Sequence, residues 1–137
     1  MKIKSIITIF AIIFIYSQSH AGAVITRFNA ETGVDKVELK WYVSAESDVK
    51  GYKLYRSFDN INYTEVKFIE VDAAQSFEKT YKFIDDTVFK SNGRSYYYKL
   101  DIITTTDQAI PYDNILTVSP QISSTRHTWG SIKAMFR

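Results

Sequence analysis

Apolar and polar residues alternate strictly in the segment that follows residue 36. Val37, Leu39 and Trp41 are separated by single charged residues, Glu38 and Lys40. A period of two is that of a β-strand, because successive side chains of a strand point to opposite faces. The segment is therefore predicted to be a strand with one face in a core.

The same period recurs in short runs from Gly22 to Pro120, with polar or Gly-containing clusters between the runs. The runs cover residues 24–29, 35–43, 51–57, 62–71, 80–84, 95–103 and 114–120. Small antiparallel sheets bury one face against another sheet, so the predicted fold is all-β, a seven-stranded antiparallel two-sheet sandwich. The side chains predicted to face inward are those of Val37, Leu39, Trp41, Tyr52, Leu54, Tyr96, Tyr98, Leu100 and Ile102.

The first 21 residues have the pattern of a secretory signal peptide. Lys2 and Lys4 precede an almost purely apolar run at 6–15, and small residues lead up to Ala21. The run is much shorter than the ~20 residues that a membrane-spanning helix needs. We expect cleavage near Ala21, no transmembrane span after cleavage, and an exported protein located outside the cell, on its surface or in the periplasm.

Composition limits the classes of partner. The 137 residues suffice for one domain and include no Cys, so no disulfide framework is expected. The 17 Lys and Arg residues include two in the leader, which leaves 15 basic against 15 acidic residues. A neutral chain has no basic footprint for nucleic acid, and none is expected as a partner. The predicted organisation is a signal peptide at 1–21, a sandwich at 22–120 and a basic amphipathic tail at 121–137.

Several motifs resemble the fibronectin type III domain, an immunoglobulin-like sandwich, in the version found in exported bacterial surface proteins. The motifs are Leu39-x-Trp41, Gly51-Tyr52-x-Leu54-x-Arg56-Ser57 and Gly93-x-x-Tyr96-x-Tyr98-x-Leu100. The resemblance implies that Trp41 is the central core Trp and that the Tyr96 hydroxyl bonds to nearby backbone. It implies little about function, because this sandwich carries many unrelated activities.

Few residues offer catalytic or metal chemistry. His127 is the one His outside the leader, and nothing in the sequence fixes its geometry. Asp85 and Asp86 would point to opposite faces of a strand, so we interpret the pair as a turn. The segment 59–62 lacks the Gly and Glu of a calcium loop and is predicted to be a hairpin turn. We expect no enzymatic activity, no cofactor and no metal.

Tyrosines supply the candidate interaction patch. If the flanking residues face the core, Tyr55 and Tyr97 face outward on neighbouring strands, together with Lys53 and Lys99. Such a surface suits a sugar ring or a protein partner, since Tyr combines apolar area with a hydroxyl. The alternative is that these tyrosines only reflect the high strand propensity of Tyr.

The segment after Pro120 loses the alternation and has three cations but no acidic residue. Trp129, Ile132 and Phe136 form one stripe of a short helix, and Arg137 lies beside them as a further recognition residue. Three outcomes remain open for this tail: it folds onto its own domain, it docks on a partner or on export machinery, or it is disordered.

The functional hypothesis is an exported, non-enzymatic module for protein interaction, adhesion or assembly at the cell surface or outside the cell. The alternative is a carbohydrate-binding module that uses the outward tyrosines. The partner is accordingly expected to be a protein, such as a surface or export component, or a glycan. Glu46 and Arg56 are expected to form a structural ion pair.

Overall fold

Two antiparallel sheets, with eight strands in the described residues, form a β-sandwich in the computed structural model of the protein. The structure describes residues 21–72, 78–88 and 95–120, together with Lys133 and Met135. The strands are β1 (Gly22–Gly33), β2 (Lys36–Ser47), β3 (Val49–Ser57), β4 (Thr64–Glu70), β5 (Lys79–Asp85), β6 (Tyr96–Thr104), β7 (Ala109–Pro111) and β8 (Leu116–Val118).

The smaller sheet has the order β1-β2-β5, and the larger has the order β4-β3-β6-β7, with β8 also paired to β6. The sequence pattern predicts seven strands, and the eighth is β7. It lies on the same edge of β6 as β8, because Asp101 pairs with Pro111 and Tyr98 pairs with Leu116. Between these two pairs β6 advances by three residues, whereas the chain along its edge advances by five. The two extra residues interrupt the edge strand and divide it into β7 and β8.

The nine side chains predicted to face inward are all buried, so this prediction is confirmed. Trp41 is fully buried at the centre, with its ring stacked on Tyr81 at 5.4 Å and in edge contact with Tyr52 at 5.6 Å. The Tyr96 hydroxyl donates a hydrogen bond to the Val88 carbonyl at 2.5 Å. Aromatic rings from both sheets therefore fill the centre of the core.

Two buried polar networks join the sheets at opposite ends of the sandwich, and the expected pairing of Glu46 with Arg56 is wrong. Arg56 Nη1 instead bonds Asp85 Oδ2 at 2.6 Å, and the Tyr98 hydroxyl bonds the same oxygen at 2.8 Å. Glu46 Oε2 accepts from Lys79 Nζ at 2.7 Å, and Glu46 Oε1 accepts from the Tyr52 hydroxyl of the larger sheet at 2.6 Å. The register of β2 with β5 brings Lys79 near Glu46, whereas the packing of the two sheets brings Arg56 near Asp85.

Hydrogen bonding keeps both carboxylates ionised. Burial opposes ionisation of Asp85, but hydrogen bonds from Thr87 and Tyr98 and the Arg56 charge outweigh it, so the pKa of Asp85 lies below its ordinary value. The pKa of Glu46 is likewise lowered, because hydrogen bonds, first from Lys79, outweigh its burial. The predicted turn at Asp85 is confirmed, since Oδ1 accepts from the Thr87 amide at 3.0 Å.

Candidate functional site

The outer face of the larger sheet holds all four residues of the predicted patch. Alternation along β3 sends Lys53 and Tyr55 outward, and alternation along β6 does the same for Tyr97 and Lys99. Tyr55 pairs directly with Lys99, and Ser57 pairs with Tyr97, so the two tyrosines are diagonal neighbours. Both tyrosines are half-buried.

A third tyrosine, Tyr63, belongs to the same surface and was missed by the sequence pattern. The Lys99 ammonium lies 4.7 Å from the ring centroid of Tyr55 and 4.9 Å from that of Tyr63. Tyr63 falls within the alternating run at 62–71, but β4 begins only at Thr64, so the position of Tyr63 depends on the loop at 58–63. Asp59 shapes that loop by accepting the Ile61 and Asn62 amides, which confirms the predicted turn.

Next to Tyr55 the same face forms an open depression of about 420 Å³. Its apolar lining consists of Tyr55, Phe68, Ile103 and Ala109. Phe68 can lie against β3 because Gly51 has no side chain: a Cβ there would come within 2.6 Å of the Phe68 ring and 2.5 Å of the Ile69 carbonyl. The glycine thus permits the close approach of β4 and its ring.

Two ion pairs form the polar lining of the depression. Lys50 Nζ bonds Asp107 Oδ1 at 2.5 Å, and Lys53 Nζ lies 3.1 Å from Glu65 Oε2. The hydrogen bond to Glu65 is the main reason that the pKa of Lys53 is raised. Asp107 has φ of 61°, a left-handed conformation in the turn between β6 and β7 that Asp tolerates. The depression therefore presents ammonium donors and carboxylate acceptors around an apolar floor.

A buried carboxylate lies on the same face of β6. Asp101 is 8% exposed, pairs with Lys53 across the strands, and has an Oδ1 atom without a hydrogen-bond partner among the described residues. The pKa of Tyr55 is raised, first by burial and then by the Asp101 charge. The tyrosine hydroxyl is thus kept protonated and able to donate.

The arrangement suits reversible binding of an amphipathic ligand. Within residues 21–72, 78–88 and 95–120, no group of three acidic or His side chains is placed to hold a metal ion. Each carboxylate that lines the depression is already paired with a lysine. An apolar surface framed by paired donors and acceptors can hold a molecule that has both an apolar face and hydroxyl groups.

Other predicted features lie outside the described residues. These are the leader at 1–20, His127, and the tail stripe of Trp129, Ile132 and Phe136 with Arg137. Lys133 and Met135 are described, and both are exposed. No helix among the described residues is long and apolar enough to span a bilayer.

No protein-family model matches the chain, and no curated protein matches it. Among solved structures, a β-1,2-glucanase from Parabacteroides distasonis is similar, with a TM-score of 0.52 and 19% identity over 77% of this chain. A pectate lyase from Erwinia chrysanthemi, solved with tetragalacturonic acid, has a TM-score of 0.48 and 19% identity over 66% of this chain. The chain spans only 14% of the first protein and 27% of the second, and the likeness to the glucanase concerns the fold alone.

Proposed function

We propose that the protein is a non-catalytic carbohydrate-binding module whose binding surface is the outer face of the larger sheet. The observation that carries this proposal is the depression beside Tyr55, where an aromatic and aliphatic floor lies between two ion pairs. A carbohydrate-binding module, the alternative in the sequence analysis, is therefore preferred to the protein-interaction module that the sequence favoured.

The chemistry of a sugar ring matches this lining. One face of the ring presents C–H groups that pack against an aromatic ring, here Phe68 or Tyr55. The hydroxyls around the ring both donate and accept, and the ammonium and carboxylate groups of Lys53 and Glu65 supply strong partners for both roles. The volume of the depression falls within the range of about 300 to 1,000 Å³ that is usual for small-molecule sites.

Export and a fibronectin type III-like architecture are parts of the same proposal. The basic and apolar leader at 1–21 supports export. The strand order of the two sheets, the buried Trp41 and the bond from Tyr96 to the Val88 carbonyl support the architecture. An exported module of this kind would meet polysaccharide outside the cell or in the periplasm.

Affinity electrophoresis in gels that contain single soluble polysaccharides tests the proposal. The full chain is expected to be retarded by at least one polysaccharide, and the double variant Tyr55→Ser, Tyr97→Ser is expected to lose most of that retardation. Tyr42→Ser, which removes a half-buried tyrosine from the other sheet, serves as the matched control. Absence of retardation across a broad panel, or equal loss in the control, would contradict the proposal.

A protein-interaction or adhesion module is the second candidate, because apolar side chains are exposed at the end of the sandwich near Asp85. Phe58 and Ile61 in the loop after β3 are 52% and 79% exposed, and Val34 in the turn after β1 is 57% exposed. Exposed apolar side chains of this kind suit a protein contact. In this case Phe58→Ser with Ile61→Ser would reduce binding of the labelled protein to cell-surface protein, while the tyrosine double variant would bind normally.

A further inference from the structure

The charges around the depression are balanced among themselves. Lys50 is paired with Asp107, and Lys53 is paired with Glu65. Asp101 places another carboxylate directly across the strands from Lys53. The ammonium groups of both lysines in the lining are therefore already paired with carboxylates, and neither is free to pair with a ligand.

The next cation on this face is also engaged. The Lys99 ammonium is held over the rings of Tyr55 and Tyr63 by cation–π contacts. With Lys99 included, three ammonium groups face three carboxylates on this surface, those of Glu65, Asp101 and Asp107. The outer face is thus polar but has no charge excess among these six groups.

We infer that the depression selects an uncharged sugar ring over a uronic acid, an inference that rests on the proposed function. A uronate would have to break an ion pair to reach Lys50 or Lys53, and its carboxylate would then face Asp107 or Glu65. Like charges brought together in an interface are strongly unfavourable, so the paired lining acts against an anionic ligand. A neutral ring keeps both ion pairs intact.

The geometry assigns separate roles to the lining residues. Phe68, held against Gly51, is the platform for the apolar face of the ring. Glu65 accepts a hydrogen bond from a ring hydroxyl, and Lys53 donates to the neighbouring hydroxyl, while the two side chains stay paired with each other. Glu65 is thus a specificity-determining residue, because it both binds the neutral ring and holds Lys53 away from an anion.

Calorimetric titration at low ionic strength tests the inference. The probes are neutral tetrasaccharides of glucose, mannose, galactose and xylose, and tetragalacturonate as the acidic counterpart. The full-length protein is expected to bind at least one neutral probe about tenfold or more tightly than the uronate, the ratio produced by loss of one good hydrogen bond to a charged group. Glu65→Gln is expected to weaken the neutral sugar about tenfold and to strengthen the uronate, because Lys53 loses its partner.

Glu38→Gln is the matched control. It changes the net charge of the chain by the same amount and also removes a carboxylate paired with lysine, but it lies on the other sheet. The control is expected to keep the parent's preference. If the uronate binds the parent as tightly as a neutral probe, or if both variants shift the preference equally, the inference fails while carbohydrate binding stands. If no sugar binds, the proposed function fails with it.

Discussion

The outer faces of the two sheets follow the same alternation of residues but carry different side chains. On the smaller sheet, Glu38 bonds Lys40 at 2.7 Å and Lys82 at 2.8 Å, and Lys40 also lies 3.5 Å from Glu31. On the larger sheet the corresponding positions hold half-buried aromatic rings and the depression. One face is covered by a chain of ion pairs, whereas the other has two ion pairs beside accessible apolar area.

The contrast extends to the depressions themselves. The smaller sheet has one of about 380 Å³ lined in part by Arg27, Tyr42 and Thr80, and the Arg27 guanidinium covers the Tyr42 ring at 5.4 Å. On the larger sheet, Phe68 and Ile103 line the floor beside ion pairs that lie at its sides. Charged side chains keep a sheet face hydrated, whereas accessible aromatic area on a sheet face points to ligand binding. Binding is therefore expected on the larger sheet alone.

The two sheets share one core, so a substitution that empties part of this core should destabilise both outer faces together. This is the largest expected effect on stability. Trp41→Ala is expected to destabilise the fold by about 3 to 5 kcal/mol, the cost of emptying a large aromatic site. Tyr42→Ala, the neighbouring residue on the outer face, should cost about 1 kcal/mol or less. Chemical denaturation measures both, and equal stability of Trp41→Ala and the parent would contradict the assigned core.

The network around Asp85 joins the sheets, and its loss should have the next largest effect. Asp85→Asn is expected to cost about 2 to 3 kcal/mol at pH 7, because hydrogen bonds to a buried charged group are lost. The folded-state pKa of Asp85 is lowered, so its contribution is present above the unfolded value of about 4 and is lost as the pH falls through the folded value.

Urea denaturation at pH 7 and pH 3 should therefore show the parent and Asp85→Asn converging in acid. Asp86→Asn is the control, because Asp86 is adjacent but exposed. It should match the parent at pH 7. A control variant as unstable as Asp85→Asn would show that the loss of stability comes from removing any carboxylate at this turn and not from the buried network.

The smallest effect on stability is expected from substitutions on the outer face of the smaller sheet. Hydrogen bonds from Lys40 and then Lys82 lower the pKa of Glu38 to about 2. Lys40→Met should raise this pKa, as followed by NMR titration of the carboxyl group. The melting temperature at pH 7 should change little, because ion pairs on the outer face of a sheet are screened by water even when they are partly buried. A large fall in melting temperature would contradict this expectation and would show that the ion pairs of this face contribute substantially to the stability of the fold.

The inward-facing residues could be predicted from the sequence, because strict alternation at Val37, Leu39 and Trp41, and again from Tyr96 to Ile102, leaves each apolar side chain only one face. The partner of Glu46 could not, because Lys79 lies 33 residues away and is brought near by the register of β2 with β5. Burial therefore follows from local pattern, whereas ion pairing depends on long-range register.

The same limit applies to the site. Tyr55 and Tyr97 could be placed on one face from alternation alone, but the depression depends on a shift in the register of β3 with β4, which occurs between Leu54 and Tyr55 of β3. It also depends on Lys50 meeting Asp107, 57 residues later. Neither the register shift nor this ion pair follows from the alternation of apolar and polar residues. The polar lining of the depression therefore could not be predicted from the sequence.

The most direct test is an NMR map of backbone amides during titration of the full chain with the neutral tetrasaccharide that binds best. The account predicts that the shifted amides cluster on the larger sheet, around Lys53, Tyr55, Phe68 and Ile103, and that those of Glu38 and Lys40 do not move. Shifts centred on Glu38 and Lys40, or at the loop of Phe58, would contradict the assignment of the larger sheet as the binding face.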